Sequence, residues 1–158
     1  MEITTLAGDP NFEIIIKLAV ALLLGMSLGV ERAIAGKTAG MRTHGLVTMG
    51  STLFTIIAII AAGGYASEVA LRESIRFTSQ VLPGIGFIGA GLIFFKGEKV
   101  SGVTTAAGIW VAAGIGVAIG YGLYILAAVT TIFSLIVFTG FWYIENRLKL
   151  LAHTESEE

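Results

Sequence analysis

Five long apolar runs, with the charged residues gathered between them, constrain this chain more than any other feature. The runs cover residues 14–30, 45–63, 77–95, 104–120 and 123–144. Each holds about 17 to 22 residues, and about 20 apolar residues wound as a helix cross a hydrocarbon core of ~30 Å. In lipid every backbone N–H and C=O must be satisfied without water, which leaves helices and closed barrels. The runs lack the alternation of barrel strands. The expected fold is therefore an all-α integral membrane protein, a bundle of about five transmembrane helices in a lipid bilayer. Composition agrees: 13% of the 158 residues are charged, where soluble domains carry about 25%. A net charge of −1 offers no basic field for nucleic acid. With no cysteine there is no disulfide framework and no cysteine-based metal site. The acidic start MEITTLAGDPNFE is unlike a secretory signal peptide, so the first run is expected to be retained.

Lys and Arg set the orientation, because cytoplasmic loops are enriched in them. Arg32, Lys37 and Arg42 lie between the first two runs, Lys96 and Lys99 after the third, and Arg147 and Lys149 after the fifth. Five crossings put all of these on one side. The other side holds Arg72 and Arg76, offset by Glu68 and Glu73. The N-terminus is thus expected outside and the C-terminus in the cytoplasm. Residues 1–13 form an outer segment, 14–146 the membrane domain, and 147–158 a short tail, disordered at its end HTESEE. Tyr65, Tyr121 and Tyr124 then mark the outer interface, and Trp142 and Tyr143 the inner one. Lys17, four residues after Glu13, is placed to pair with it and to snorkel.

In the fourth run Gly108, Ala112, Gly116 and Gly120 recur every four residues and form one smooth ridge. Such ridges let helix backbones approach closely. This one belongs at the centre of the bundle or at a homodimer seam, and Gly25 and Gly29 give the first run a similar patch. Trp110 reads as a packing residue among these small neighbours, and the fifth run as an ordinary lipid-facing helix. The third run contains QVLPGIGFIGAG. Pro83 removes a backbone hydrogen bond, Gly84, Gly86, Gly89 and Gly91 add flexibility, and Gln80 brings an amide one turn inside the outer face. A kinked or locally unwound helix follows. It serves either as ion-binding backbone, as in transporters, or as a tightly packed bend.

The segment ERAIAGKTAGMRTH, residues 31–44, concentrates Glu31, Arg32, Lys37, Arg42, Thr43 and His44. Topology accounts for the cations. It does not account for Glu31, since a carboxylate at the edge of an apolar run must be paired or hydrated. Pairing with Arg42 across the loop, with Arg32 also near, is the expectation. The cluster either staples the loop or forms a cation or proton site. Glu31 is the one weak Mg²⁺ candidate, because Mg²⁺ sites use one or two carboxylates plus waters. Neighbouring arginines oppose that use, and no acidic residue lies inside any run. His44, alone, is a weak metal signal. KTAGMRT is echoed by KVSGVTT: Lys37 matches Lys99, Gly40 matches Gly102 and Thr43 matches Thr105, each pair 62 apart. Gly29 and Gly91 share the offset. The echo suggests a duplicated two-helix hairpin plus a fifth helix, with Thr43, Thr104 and Thr105 as helix caps or interhelical bonds. No phosphate loop, metal-ligand pair or nucleophile–base set is present, so no enzyme is expected.

Three blocks carry a family resemblance. GMSLGVERAIAGKTAGMRTHGLVTMGSTLF, RFTSQVLPGIGFIGAGLIF and VSGVTTAAGIWVAAGIGVAIGYG resemble, in order, the signature blocks of the MgtC/SapB family. Thr38 stands where members often have proline, and Pro83 where a small residue is usual. The resemblance implies a multi-pass protein of the bacterial or archaeal cytoplasmic (inner) membrane, linked to growth in low magnesium and, in some pathogens, to virulence. It also implies either regulation of a membrane partner, ATP synthase among those suggested, or direct transport of Mg²⁺ or another ion. Many members add a soluble C-terminal domain, and this chain corresponds to their membrane region.

Overall fold

A computed structural model of the chain describes residues 10–154. In chain order the elements are α1 (Pro10–Ile34), α2 (Met41–Ala61), α3 (Glu68–Ser79), α4 (Val81–Ala90), β1 (Phe94–Lys96), β2 (Lys99–Ser101), α5 (Val103–Gly120) and α6 (Tyr124–Thr154). Three stretches, Asn11–Ile34, Met41–Ala61 and Val103–Gly120, are long and apolar enough to cross a membrane. Tyr124–Gly140 is a shorter apolar stretch of α6. The chain is an all-α membrane protein, and α1, α2, α5 and α6 realise the first, second, fourth and fifth runs. The outer segment's first nine residues and residues 155–158 lie outside the described residues, as do the side chains of Trp142, Arg147 and Lys149.

The ends of three helices follow from their glycines. At α1, Lys37 N–H bonds Arg32 C=O and Gly36 N–H bonds Ala33 C=O. At α2 the same pair of bonds runs from Gly64 to Ile59 and from Gly63 to Ile60, and at α5 from Leu123 to Ala118 and from Gly122 to Ile119. This is the Schellman closure, which needs a left-handed residue, here Gly36, Gly63 and Gly122 at φ 67°, 89° and 78°. Each stop satisfies carbonyls that lipid could not. Ser67 starts α3, its hydroxyl accepting a bond from Ala70 N–H at 3.1 Å.

α5 is the central helix, packed against α1, α2, α4 and α6. The small-residue ridge lies inside the chain. A Cβ added at Gly116 would run into Thr48 O, and one at Gly120 would come within 2.5 Å of Thr55 Cβ. Ala112 is fully buried. Gly25 and Gly29 do the same for α1, against Thr48 and His44 of α2 and against the Met41 backbone. The seam between α2 and α5 therefore consumes the ridge. Trp110, by contrast, is 53% exposed on the outside of α5. α5 leaves one side open between its neighbours, and the large ring lies there.

The third run is not one span. α3 stops at Gln80, which is both the last cap of α3 and the first of α4. Pro83 is the cause: it has no N–H for Ser79 C=O, and its ring crowds that carbonyl. α4 then ends at Ala90, five residues short of the expected end, and 94–101 folds back as an antiparallel hairpin pairing Phe94 with Ser101, Phe95 with Val100 and Lys96 with Lys99. Gly97 at φ 65° with Glu98 at negative φ makes the II′-type turn suited to two-residue hairpins.

The expected caps are corrected as well. Gly40 and Gly102 occupy the cap positions of α2 and α5, and neither helix start has a side-chain cap bond. Thr43, Thr104 and Thr105 lie inside the first turns. At Gly102, with φ 91°, an added Cβ would strike Leu92 O, so only glycine fits where the chain enters α5 this close to the end of α4. The 62-residue echo thus marks two equivalent helix starts. The elements before them differ, an unbroken α1 in one case and α3–α4 with a hairpin in the other.

Candidate functional site

One face of α2 is polar from His44 to Thr55. His44, Thr48, Ser51, Thr52 and Thr55 recur at helical spacing and are all buried against α1 and α5, Ser51 at 2% exposure and the other four at 0%. Most hydroxyls solve the burial problem locally. Thr48 donates to His44 C=O at 2.9 Å and Thr55 to Ser51 C=O at 2.8 Å. Thr52 differs: its hydroxyl lies 3.0 Å from Thr48 C=O and 2.8 Å from Gly116 C=O on α5. It is a hydrogen bond that ties α2 to α5, made possible because Gly116 lets the backbones meet. Sequence reading singled out none of Thr48, Ser51, Thr52 or Thr55. The signal was the 3.6-residue period of hydroxyls in an otherwise apolar helix.

At one end of this face sits the charged part of the site. Arg32, 4% exposed, pairs with the adjacent Glu31 carboxylate. Its guanidinium also covers the Phe138 ring of α6, 3.8 Å from the centroid, and reaches Phe138 C=O at 3.4 Å. The position suits a cation, in the last turn of α1. Glu31 is therefore engaged by Arg32, not by Arg42, which is exposed on the first turn of α2. The physical reason is reach: Arg32 is held inside by Phe138, while Arg42 points to the surface. Lys37 and Thr38 are exposed in the loop, and Thr43 is half-buried.

His44 closes the cluster. Its Nδ1 lies 3.1 Å from Gly40 C=O, and since a carbonyl only accepts, Nδ1 carries the proton. Nε2 is then a bare acceptor, buried without a protein partner, as is Ser51 Oγ. Gly108 sits between His44 and Phe138: an added Cβ would be 3.3 Å from His44 Nε2 and 3.0 Å from Phe138 Cζ. Among the described residues no three His, Cys, Asp or Glu side chains converge on a metal position. The Glu31 carboxylate, held by a guanidinium, does not suit a divalent cation.

The second feature is a groove of about 740 Å³ on the outside of the bundle. α2 supplies Leu46, Gly50, Ser51, Phe54, Ala58 and Ala61, and the broken α3–α4 pair supplies Phe77, Gln80, Gly84, Ile85 and Ile88. It exists because α4 leans on α5, with Ile85 packed beside Ile109 and Ala113, while Gly50 and Gly84 leave open space. Gln80 and Gly84 of the expected kink thus line the groove. Gly89 faces Ala106 of α5, Gly91 ends α4, and Gly86 and Pro83 are exposed.

The sequence profile of the MgtC family matches residues 18–147, a range that holds the polar face, the charged cluster and the groove. The chain belongs to the MgtC family. The Escherichia coli K12 protein named "Putative magnesium transporter YhiD" is 41% identical over 140 residues, covering 86% of this chain and 64% of YhiD. Protein SrpB of Synechococcus elongatus is 42% identical over 133 residues, covering 79% of this chain and 72% of SrpB. Protein MgtC of Brucella abortus is 40% identical over 120 residues, 76% of this chain and 48% of that protein. This MgtC-family chain therefore spans just under two thirds of YhiD and about half of the Brucella protein. No solved structure matches it.

Proposed function

We propose that this MgtC-family chain serves magnesium homeostasis in the cytoplasmic membrane by binding a membrane partner, and that the α2/α3–α4 groove receives an apolar helix of that partner. The groove is the observation that carries the reading. Its lining on α2 runs from Leu46 to Ala61, about 22 Å at 1.5 Å per residue, which approaches the hydrocarbon thickness. Small residues along one wall are what close helix packing in lipid requires. The interior supports the same reading. Thr48, Thr52 and Thr55 bond to backbone carbonyls and Gly116 is in contact, which supports reading the α2–α5 seam as a packed joint. The link to magnesium rests on family membership and on the printed name of YhiD.

Filling the groove tests this. Gly50→Leu and Gly84→Leu place bulk in open space and should leave the fold intact. In cells lacking their own MgtC-family protein, the wild-type chain should restore growth in low magnesium and the two variants should not. A photocrosslinking residue at Phe54 or Ile88 should capture the partner in the wild type only. The second reading, direct transport, is favoured by the name of YhiD. Mg²⁺ uptake into proteoliposomes that is lost in Glu31→Gln would establish it and displace the first.

A further inference from the structure

The β1–β2 hairpin is used by neither the polar face nor the groove. It projects from the bundle with both faces uncovered. Phe95 is 78% exposed, and its cross-strand partner Val100 is exposed too. A lone two-stranded hairpin is marginal in water, and large exposed apolar side chains of this kind suit contact with lipid. On the opposite face Lys96 and Lys99 stand directly across from one another. Like charges so placed repel. Among the described residues neither lysine makes an ion pair, and neither does Glu98 in the turn between them. The hairpin is nevertheless held in one place: it enters α5 through Gly102, pressed on Leu92, and Leu92 packs on the cluster of Ala39, Ile85, Ile109 and Ala113. Ala39 brings the α1–α2 loop alongside, with Lys37 exposed two residues away.

Two ammonium groups fixed across a hairpin, with exposed Phe94 on the same face, lack one thing: an anion at the depth of the headgroups. We propose that the β1–β2 hairpin binds an anionic phospholipid, its phosphate held between Lys96 and Lys99 and its acyl chains against Phe94 on the same face, while Phe95 and Val100 rest in lipid on the other. The charge distribution selects this occupant. Among the described side chains, the exposed cations at this end, Lys37, Arg42, Lys96 and Lys99, face the free carboxylate Glu98, whereas at the other end Lys17, Arg72 and Arg76 are paired with Glu13, Glu68 and Glu73. A zwitterionic headgroup would offer the two lysines its own cation along with its phosphate.

The test is native mass spectrometry of the full chain released from detergent with equal amounts of phosphatidylglycerol and phosphatidylcholine of the same acyl chains. The wild type should retain phosphatidylglycerol preferentially. Each lysine near a charged lipid surface contributes about 1 kcal/mol, so Lys96→Gln with Lys99→Gln should reduce the preference by up to roughly thirty-fold, at about 1.4 kcal/mol per tenfold. Lys96→Arg with Lys99→Arg should keep it, and so should Arg72→Gln with Arg76→Gln at the other end. An undiminished preference in the Gln pair, or an equal loss in the Arg72/Arg76 pair, overturns the proposal. Displacement of the lipid by soluble glycerol phosphate would also overturn it, since the chains against Phe94 would then contribute nothing.

Discussion

At the scale of single residues the fold turns on where a methyl group fits. Gly114 and Gly116 lie two residues apart on α5, yet an added Cβ at Gly114 meets nothing within 4 Å and one at Gly116 runs into Thr48 O and Ser51 Cβ. Gly114→Ala should leave stability unchanged or raise it by up to about 1 kcal/mol, through helix propensity alone. Gly116→Ala should cost about 1–3 kcal/mol, because the α2 backbone has to move. Thermal unfolding of the two variants in one detergent decides between them, and equal midpoints would refute the packing of α2 on α5. The buried charge makes a second case. Arg32 is compensated by Glu31 and by the Phe138 ring and carbonyl. Removing the carboxylate alone, in Glu31→Gln, should destabilise by roughly 3 kcal/mol, since a buried cation is left uncompensated. Adding Arg32→Met should recover most of that loss, since an apolar residue of similar length replaces the charge. A double variant no more stable than Glu31→Gln would mean that the uncompensated Arg32 charge is not the source of the loss.

At the scale of elements, the broken third run separates what was legible from what was not. Apolar length alone identified α1, α2, α5 and α6, because a membrane-crossing helix announces itself by composition. The bend was legible too, since proline in a helix interior removes a bond and adds a clash. Its position was not, because the clash falls on Ser79, one turn earlier, and the break appears at Gln80. The hairpin was hidden by its residues: Phe94 and Phe95 read as the tail of an apolar run, and the turn signal, Gly97 before Glu98, is short. Thr43 and Thr105 were assigned as caps from their hydroxyls, yet the cap positions went to Gly40 and Gly102. At Gly102 the tertiary approach of Leu92 decided the residue. The Glu31–Arg42 pairing failed for a similar reason, since no sequence rule says which of two nearby arginines turns inward. The polar face of α2 was missed because threonine and serine do not interrupt an apolar run. Pro83→Ala tests the account of the break. With an N–H restored, amide exchange at residues 80–84 should slow by about tenfold or more, as one added helical bond worth about 1.4 kcal/mol would require. Unchanged exchange would show that the break is imposed by packing and not by proline.

At the scale of the whole molecule the two ends of the bundle differ in free charge, and that difference argues for one orientation. Among the described side chains, one end exposes Lys37, Arg42, Lys96 and Lys99 against Glu98, an excess of three positive charges from four cations and one carboxylate. The other end carries its cations in the pairs Lys17–Glu13, Arg72–Glu68 and Arg76–Glu73. The cytoplasmic leaflet is the anionic one, and it attracts basic side chains by about 1 kcal/mol each. An excess of three therefore favours this end facing the cytoplasm by roughly 3 kcal/mol, more than a hundredfold. Tyr121 bonds Thr78 at 3.0 Å at the end away from the hairpin. Because the chain has no cysteine, single cysteines report the answer without background. Thr38→Cys lies in the exposed α1–α2 loop, and Ala66→Cys in the exposed turn before α3. In intact cells a membrane-impermeant maleimide should label Ala66→Cys and leave Thr38→Cys untouched until the membrane is opened. The reverse pattern would place the lysine-bearing hairpin on the outer surface. Charge would then not be what orients this bundle, and a lipid held by Lys96 and Lys99 would have to come from the opposite leaflet.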